Sequence, residues 1–171
     1  MAGNLIIYYS RKGENYWAGK IVDLKKGNTE RVAEFIQKAE GGDLFEVETV
    51  RDYSADYTEC TEQAQAELRA GERVEPKAYL DDLSGYDNIF VGFPNWWGTM
   101  PMVLFTFLEH YDLTGKTILP FCTNEGSGMG SSEADLRRIC KGAEVKRGRS
   151  IRGCKAEQSE AQAAQWARQS I

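Results

Sequence analysis

The sequence predicts an α/β fold: a three-layer, doubly wound sheet of five parallel strands with helices on both faces. Three observations carry this. Short apolar runs recur at 5–9, 44–47, 89–93 and 118–122, segments with apolar residues at helical spacing lie between them, and no repeat or low-complexity tract interrupts the alternation. Buried parallel strands read as short continuous apolar runs, and strand-helix alternation implies right-handed crossovers. A chain of 171 residues, 42% of them hydrophobic, can bury the core of one domain, and residues 1–171 are read as one.

The elements follow in order. After the first strand, a helical face carries Val32, Ile36 and Ala39, with Thr29 as its N-cap. A second face carries Tyr57, Cys60, Ala64 and Leu68 behind Asp56. A mostly apolar helix at 103–108 follows Thr99, and His110 lies near its C-terminal end, where capping or a surface role outweighs catalysis. Leu136, Ile139 and Cys140 share a face behind Ser132, and a weaker fifth strand falls within 143–151. The last helix opens with Ser159-Glu160-Ala161-Gln162, a capping-box pattern. Tyr53, Tyr57 and Tyr86 read as edge and core aromatics, and Cys122 as a small buried hydrophobe.

Composition narrows the function. The formal net charge of −5 argues against general nucleic-acid binding, which needs a basic face. Positive charge gathers only at Lys141, Lys146, Arg147, Arg149, Arg152 and Lys155, a pattern that mostly marks a solvated edge. Cys60, Cys122, Cys140 and Cys154 are widely spaced, and His110 is the one histidine, so free thiols are favoured over disulfides or a metal site. No run has the length of a membrane span and the N-terminus lacks the order of a secretory signal, so a cytoplasmic, membrane-free protein is expected.

In such a sheet, ligands bind beyond the carboxyl ends of the strands. The loops after strands one, three and four are therefore the places to look. The first is overlong: Ser10, Arg11 and Gly13 begin a small-residue loop, and Gly27, Asn28 and Thr29 begin it again. The second is Pro94-Asn95-Trp96-Trp97-Gly98-Thr99. The third is Thr123-Asn124-Glu125-Gly126-Ser127-Gly128, continuing to Gly130.

Excising 12–25 leaves Ser10-Arg11-Lys26-Gly27-Asn28-Thr29, so the first loop is written once and split by an insertion. In this form the chain resembles the bacterial flavodoxin-like family whose first loop reads Ser-Arg-x-Gly-Asn-Thr. The resemblance runs over nearly the whole chain, through GFPNWWGTMP at 92–101 and PFCTNEGSGMGSS at 120–132. It implies a flavodoxin-like fold with strand order 2-1-3-4-5 and one noncovalently bound FMN. A nucleotide triphosphatase is disfavoured, because the loop lacks Gly-x-x-x-x-Gly-Lys-Ser/Thr.

The implied site has three parts. Ser10, Gly27, Asn28 and Thr29 would meet the phosphate at a helix N-terminus, where N–H groups and the helix dipole favour an anion, with Arg11 or Lys26 adding charge. Pro94, Asn95, Trp96, Trp97 and Gly98 would wall the ring. One tryptophan is expected to stack and the other to plug the sheet end, Trp97 being the chosen stacker because it adjoins Gly98, whose peptide can turn a carbonyl toward flavin N5. Thr123, Asn124, Glu125, Gly126, Ser127 and Gly128 would form the other wall, with Asn124 or Ser127 at the pyrimidine edge. Glu125 either faces the ring and lowers its potential or points to solvent.

The expected function is redox. One mechanism is a one-electron carrier between partner proteins. The alternative is an FMN-dependent oxidoreductase taking hydride from NAD(P)H and reducing a quinone-like or nitroaromatic acceptor; a flavin-binding module without turnover ranks third. The insertion, strand-like around Ala18-Gly19, is either a hairpin serving as interaction surface or flap, or a self-packed Ω-like loop.

Overall fold

The computed structural model describes residues 3–171. The chain runs β1 (Asn4–Tyr8), β2 (Gly13–Trp17), β3 (Lys20–Leu24), α1 (Asn28–Glu40), β4 (Asp43–Glu46), α2 (Tyr57–Ala70), β5 (Asn88–Pro94), α3 (Met102–Glu109), β6 (Thr117–Asn124), α4 (Ser132–Ile139), β7 (Glu144–Val145), β8 (Arg149–Arg152), a 3₁₀ segment (Gly153–Gln158) and α5 (Glu160–Ser170). The main sheet is parallel throughout, ordered β4-β1-β5-β6, with β7 and β8 both on β6. With the β2–β3 hairpin set aside, the order is 2-1-3-4-5.

The fifth position is written in two pieces for a local reason. Ile118 pairs with Val145 and Phe121 with Arg149, so three residues on the edge oppose two on β6. One of those two is Pro120, which has no N–H to donate, and the extra residue lets the edge pass it. A sheet of six segments therefore replaces the expected five strands.

Alternation along the strands sorts the core into two layers. Ile6, Tyr8, Phe90, Leu119 and Phe121 face α1 and α5, against Val32, Ile36, Ala163 and Ala167. Leu5, Ile7, Ile89, Val91 and Phe93 face the opposite way, against Val103, Leu104, Phe107, Leu108 and Leu136. Each fully buried large aliphatic or aromatic side chain stabilises by about 1.5–3 kcal/mol.

Helix starts fit less well. Asp56 caps α2 as expected, accepting from the Glu59 N–H at 2.9 Å. Thr99 does not cap α3, which begins after Pro101; its hydroxyl donates to Asp135 instead. The N-cap of α1 is Gly27 rather than Thr29, and that of α4 is Ser131 rather than Ser132. Ser159 stands before α5, yet its hydroxyl donates to the Ala156 carbonyl, so the capping box is not formed. The Thr29 and Thr99 hydroxyls are taken by distant segments, at Thr123 and Asp135, whereas Ser132 and Ser159 each donate to the carbonyl three residues back.

The insertion is a hairpin, β2 pairing antiparallel with β3 around Ala18 (φ 50°) and Gly19 (φ 90°). A two-residue turn with both φ values positive matches the twist of paired strands. The hairpin is docked rather than free. Glu14 Oε1 accepts from the Tyr57 N–H at 2.7 Å, placing a carboxylate at the positive end of α2. Arg11 donates to the carbonyls of Glu14, Ser54 and Ala55.

Candidate functional site

The carboxyl ends of β1, β5 and β6 open into a cavity of about 470 Å³. Of the residues expected there, Arg11, Asn28, Thr29, Pro94, Asn95, Trp96, Trp97, Gly98, Thr123, Asn124, Glu125 and Ser127 line it. Ser10 and Gly27 do not. They line a neighbouring polar groove of about 610 Å³, because the Ser10 hydroxyl turns to accept the Glu30 N–H of α1. Gly27 lacks a side chain to make room for Ser10: a Cβ there would collide with Ser10 Oγ.

The α1 end of the cavity carries Asn28 and Thr29, both buried. Helix geometry leaves their N–H groups without an intrahelical partner, the arrangement that receives an anion. Thr29 and Thr123 join hydroxyls at 2.8 Å, tying the first loop to the third. Arg11 lines this region, but its contacts with three carbonyls make it a clasp between the hairpin and the approach to α2, not the charge expected for a phosphate.

The second loop is a tight turn. Trp96 and Thr99 exchange backbone hydrogen bonds across Trp97 (φ 58°) and Gly98 (φ 90°). Asn95 staples it, accepting from the Gly98 N–H and donating to the Gly128 carbonyl, each at 2.8 Å. Ser131 donates to the Gly98 carbonyl. The two tryptophans part company. Trp96 packs edge-on against Tyr9 and Tyr53, with ring centroids 5.1 and 5.0 Å away. Trp97 stays 50% exposed at the cavity, its indole N–H donating to the Thr61 carbonyl at 2.8 Å.

In the third loop Asn124 does other work than the sequence suggests. Its Oδ1 accepts from the N–H groups of Gly126 and Gly128, and its Nδ2 donates to Ser150 Oγ. The amide shapes the loop and is not directed at a ligand's edge, and Gly126 and Gly128 fall outside the cavity lining. Glu125 turns inward: Oε1 accepts from the Cys154 N–H at 3.0 Å, while Oε2 is buried without a partner. Asn28 Oδ1 is likewise buried and unpaired, the other such side-chain atom among the described residues. An unpaired buried acceptor costs about 1–3 kcal/mol.

Sequence reasoning missed seven lining residues: Asn15 and Tyr16 of the hairpin, Tyr57, Cys60, Thr61 and Ala64 of α2, and Gly153. Tyr57, expected at an edge or in the core, is a correction. Its ring lies 6.4 Å from that of Tyr16. The signal available for α2 was its apolar face, which reads equally well as core. Burial raises the Cys60 thiol above its ordinary pKa against the lowering influence of Arg11, and pushes Cys122 up to about 12, so both remain neutral thiols. Among the described residues there is no metal-holding group of side chains and no helix long and apolar enough to cross a membrane.

An aromatic wall, a neutral floor from α2 and a helix N-terminus at one end suit a planar, phosphorylated, largely neutral ligand. The flavodoxin sequence pattern matches residues 23–169, beginning inside the insertion. No curated protein matches the chain. A candidate flavoprotein of Bacteroides eggerthii is similar at 27% identity, with 97% of this chain and 96% of that one covered and a TM-score of 0.77. One of Bacteroides uniformis is similar at 26%, with 98% of each chain covered and a TM-score of 0.76. A Lactobacillus acidophilus flavoprotein, solved in complex with FMN, shares the fold at 21% identity, with 94% of this chain and 99% of that one covered and a TM-score of 0.65. The chain belongs to the flavodoxin family.

Proposed function

We propose that this member of the flavodoxin family carries electrons one at a time between partner proteins through noncovalently bound FMN. The observation that carries the reading is the half-exposed Trp97 at the rim of a cavity built from three strand-end loops. A ring held against it keeps an edge within reach of a partner's redox centre. When bound, FMN supplies the one- and two-electron chemistry that no protein side chain offers.

The protein's part is binding and orientation. Asn28 and Thr29 hold the phosphate at the start of α1. Trp97 stacks on the ring, contributing about 0.5–1.5 kcal/mol beyond burial, while Trp96 anchors the turn from behind. The Trp97–Gly98 peptide can offer a carbonyl to N5 only by giving up the 2.8 Å bond from the Gly98 N–H to Asn95. That bond therefore sets the resistance of the turn to rearrangement.

Two measurements on purified protein test this. Titration of apoprotein should find riboflavin weaker than FMN by about tenfold or more, and equal affinities would remove the phosphate site. Anaerobic photoreduction should then accumulate the long-wavelength absorption of a one-electron-reduced flavin. Direct bleaching by NAD(P)H with turnover of a soluble quinone would instead establish a reductase.

A further inference from the structure

Arg147, Arg149, Arg152 and Lys155 follow one another along β8 and into the 3₁₀ segment, and among the described residues none of them is ion-paired. Arg149 lies against Gln162 of α5, and the other three are exposed. β8 pairs with β6 alone, so its outer edge carries no strand. Basic side chains on an edge strand ordinarily do no more than keep it from pairing. Arg152 does more. The parallel register sets it opposite Asn124, at the end of the sheet where the cavity opens. Its guanidinium lies over the third loop, where a Cβ on Gly126 would stand 3.1 Å from Arg152 Nη2. Glu125 and Ser127 on either side of Gly126 line the cavity, as does Gly153, the residue after Arg152. The Glu125 carboxylate, which could neutralise this charge, turns inward onto the Cys154 N–H instead. Positive charge therefore runs from the free edge to the rim.

The opposite flank has the opposite sign. The polar groove between the hairpin and the end of β4 is lined by six carboxylates against three basic side chains. Burial there, with Glu30 and Glu48 close by, raises the Glu46 carboxyl above its ordinary range. The mouth of the cavity thus lies between a basic edge and an acidic groove, although the chain as a whole is acidic at −5. At about 3.3 Å per residue, Arg147 to Arg152 spans about 16 Å. That is several times the width of one phosphate group and suits the surface of a protein.

We propose that the β8 edge, from Arg147 to Lys155, is the docking surface for an electron-transfer protein that presents a cluster of carboxylates beside its own redox centre. This rests on the electron-carrier reading above and adds the chemistry of the partner. The acidic groove repels the same carboxylates, so the encounter is steered into one orientation, with the partner's centre brought over the third loop.

The probe is a plant-type [2Fe–2S] ferredoxin, a small acidic one-electron protein, carrying a fluorescent label and titrated with FMN-loaded protein at low salt, with anisotropy as the readout. Replacing Arg147, Arg152 and Lys155 together by glutamine should weaken binding about tenfold. Replacing Lys12, Lys20 and Lys25, three exposed lysines of the insertion, removes the same charge from the other flank and should change binding by less than about twofold. At about 0.15 M salt, where the Debye length is about 8 Å, most of the difference between the two trios should vanish. No binding at low salt, equal weakening by the two trios, or binding that strengthens with salt would overturn the docking surface while leaving FMN binding intact. The FMN reading fails on a separate measurement, a flavin titration in which the unaltered apoprotein binds no FMN, and this inference would then fall with it.

Discussion

Two four-residue turns in this protein share a backbone plan and differ in everything attached to it. Trp17-Ala18-Gly19-Lys20 closes the inserted hairpin, and Trp96-Trp97-Gly98-Thr99 closes the loop after β5. Each begins with tryptophan, places a non-glycine residue at positive φ (50° and 58°), follows it with glycine at 90°, and pairs its end residues antiparallel. Ala18 and Trp97 are the two non-glycine residues at positive φ among those described. At the hairpin tip Ala18 and Gly19 are exposed, and the turn reverses the chain. At the cavity Asn95, Ser131 and Thr61 all bond to the turn, and Trp96 is wedged between two tyrosines. A large aromatic in the left-handed region persists when its surroundings over-determine it. The same local geometry is a connector in one place and a ligand wall in the other because of what grips it.

Truncating the tryptophan that opens each turn gives the largest contrast. Trp96→Ala should lose about 3 kcal/mol in urea denaturation, since it empties a packed aromatic site, whereas Trp17→Ala on the hairpin should lose less than about 1 kcal/mol. Similar losses would mean that the two turns are gripped alike.

Next come the glycines. Gly98→Val and Gly19→Val each force a branched side chain into φ near 90°, at about 1–2 kcal/mol of strain. Only Gly98→Val should also diminish the one-electron absorption on photoreduction, and an equal spectral effect from Gly19→Val would contradict the division of roles.

Trp97→Ala should weaken FMN by about tenfold, or about 1.4 kcal/mol, with little change in the denaturation midpoint. Unchanged affinity and potential would remove Trp97 as the stacking wall.

The smallest effect is expected from deleting 12–25 and joining Arg11 to Lys26. The circular dichroism spectrum should be retained and FMN affinity should fall about threefold, because the hairpin contributes Asn15 and Tyr16 to the cavity but nothing to the main sheet. Collapse of the fold would show that the Glu14 bond to α2 is indispensable rather than supporting.

The hydrophobic pattern of the sequence by itself determined the layered sheet and the three loops that bear the site, while the strand order came from the resemblance of those loops to the flavodoxin-like family. Which residues are buried depends on periodicity within short segments, so Val32 and Ile36, or Ile89 and Val91, are readable without knowing their partners. Asp56 was readable for the same reason: its cap bond reaches only three residues ahead. Tertiary structure alone decided the rest. Thr99 finds its partner in Asp135 rather than in its expected helix, Arg11 is drawn onto the carbonyls of Ser54 and Ala55, and the Asn124 amide nitrogen is taken by Ser150. It also decided that α2, the hairpin and Gly153 would join the cavity. Short polar side chains choose among several donors and acceptors of nearly equal strength, and that choice depends on which distant segments packing brings within about 3 Å, a distance no local pattern encodes.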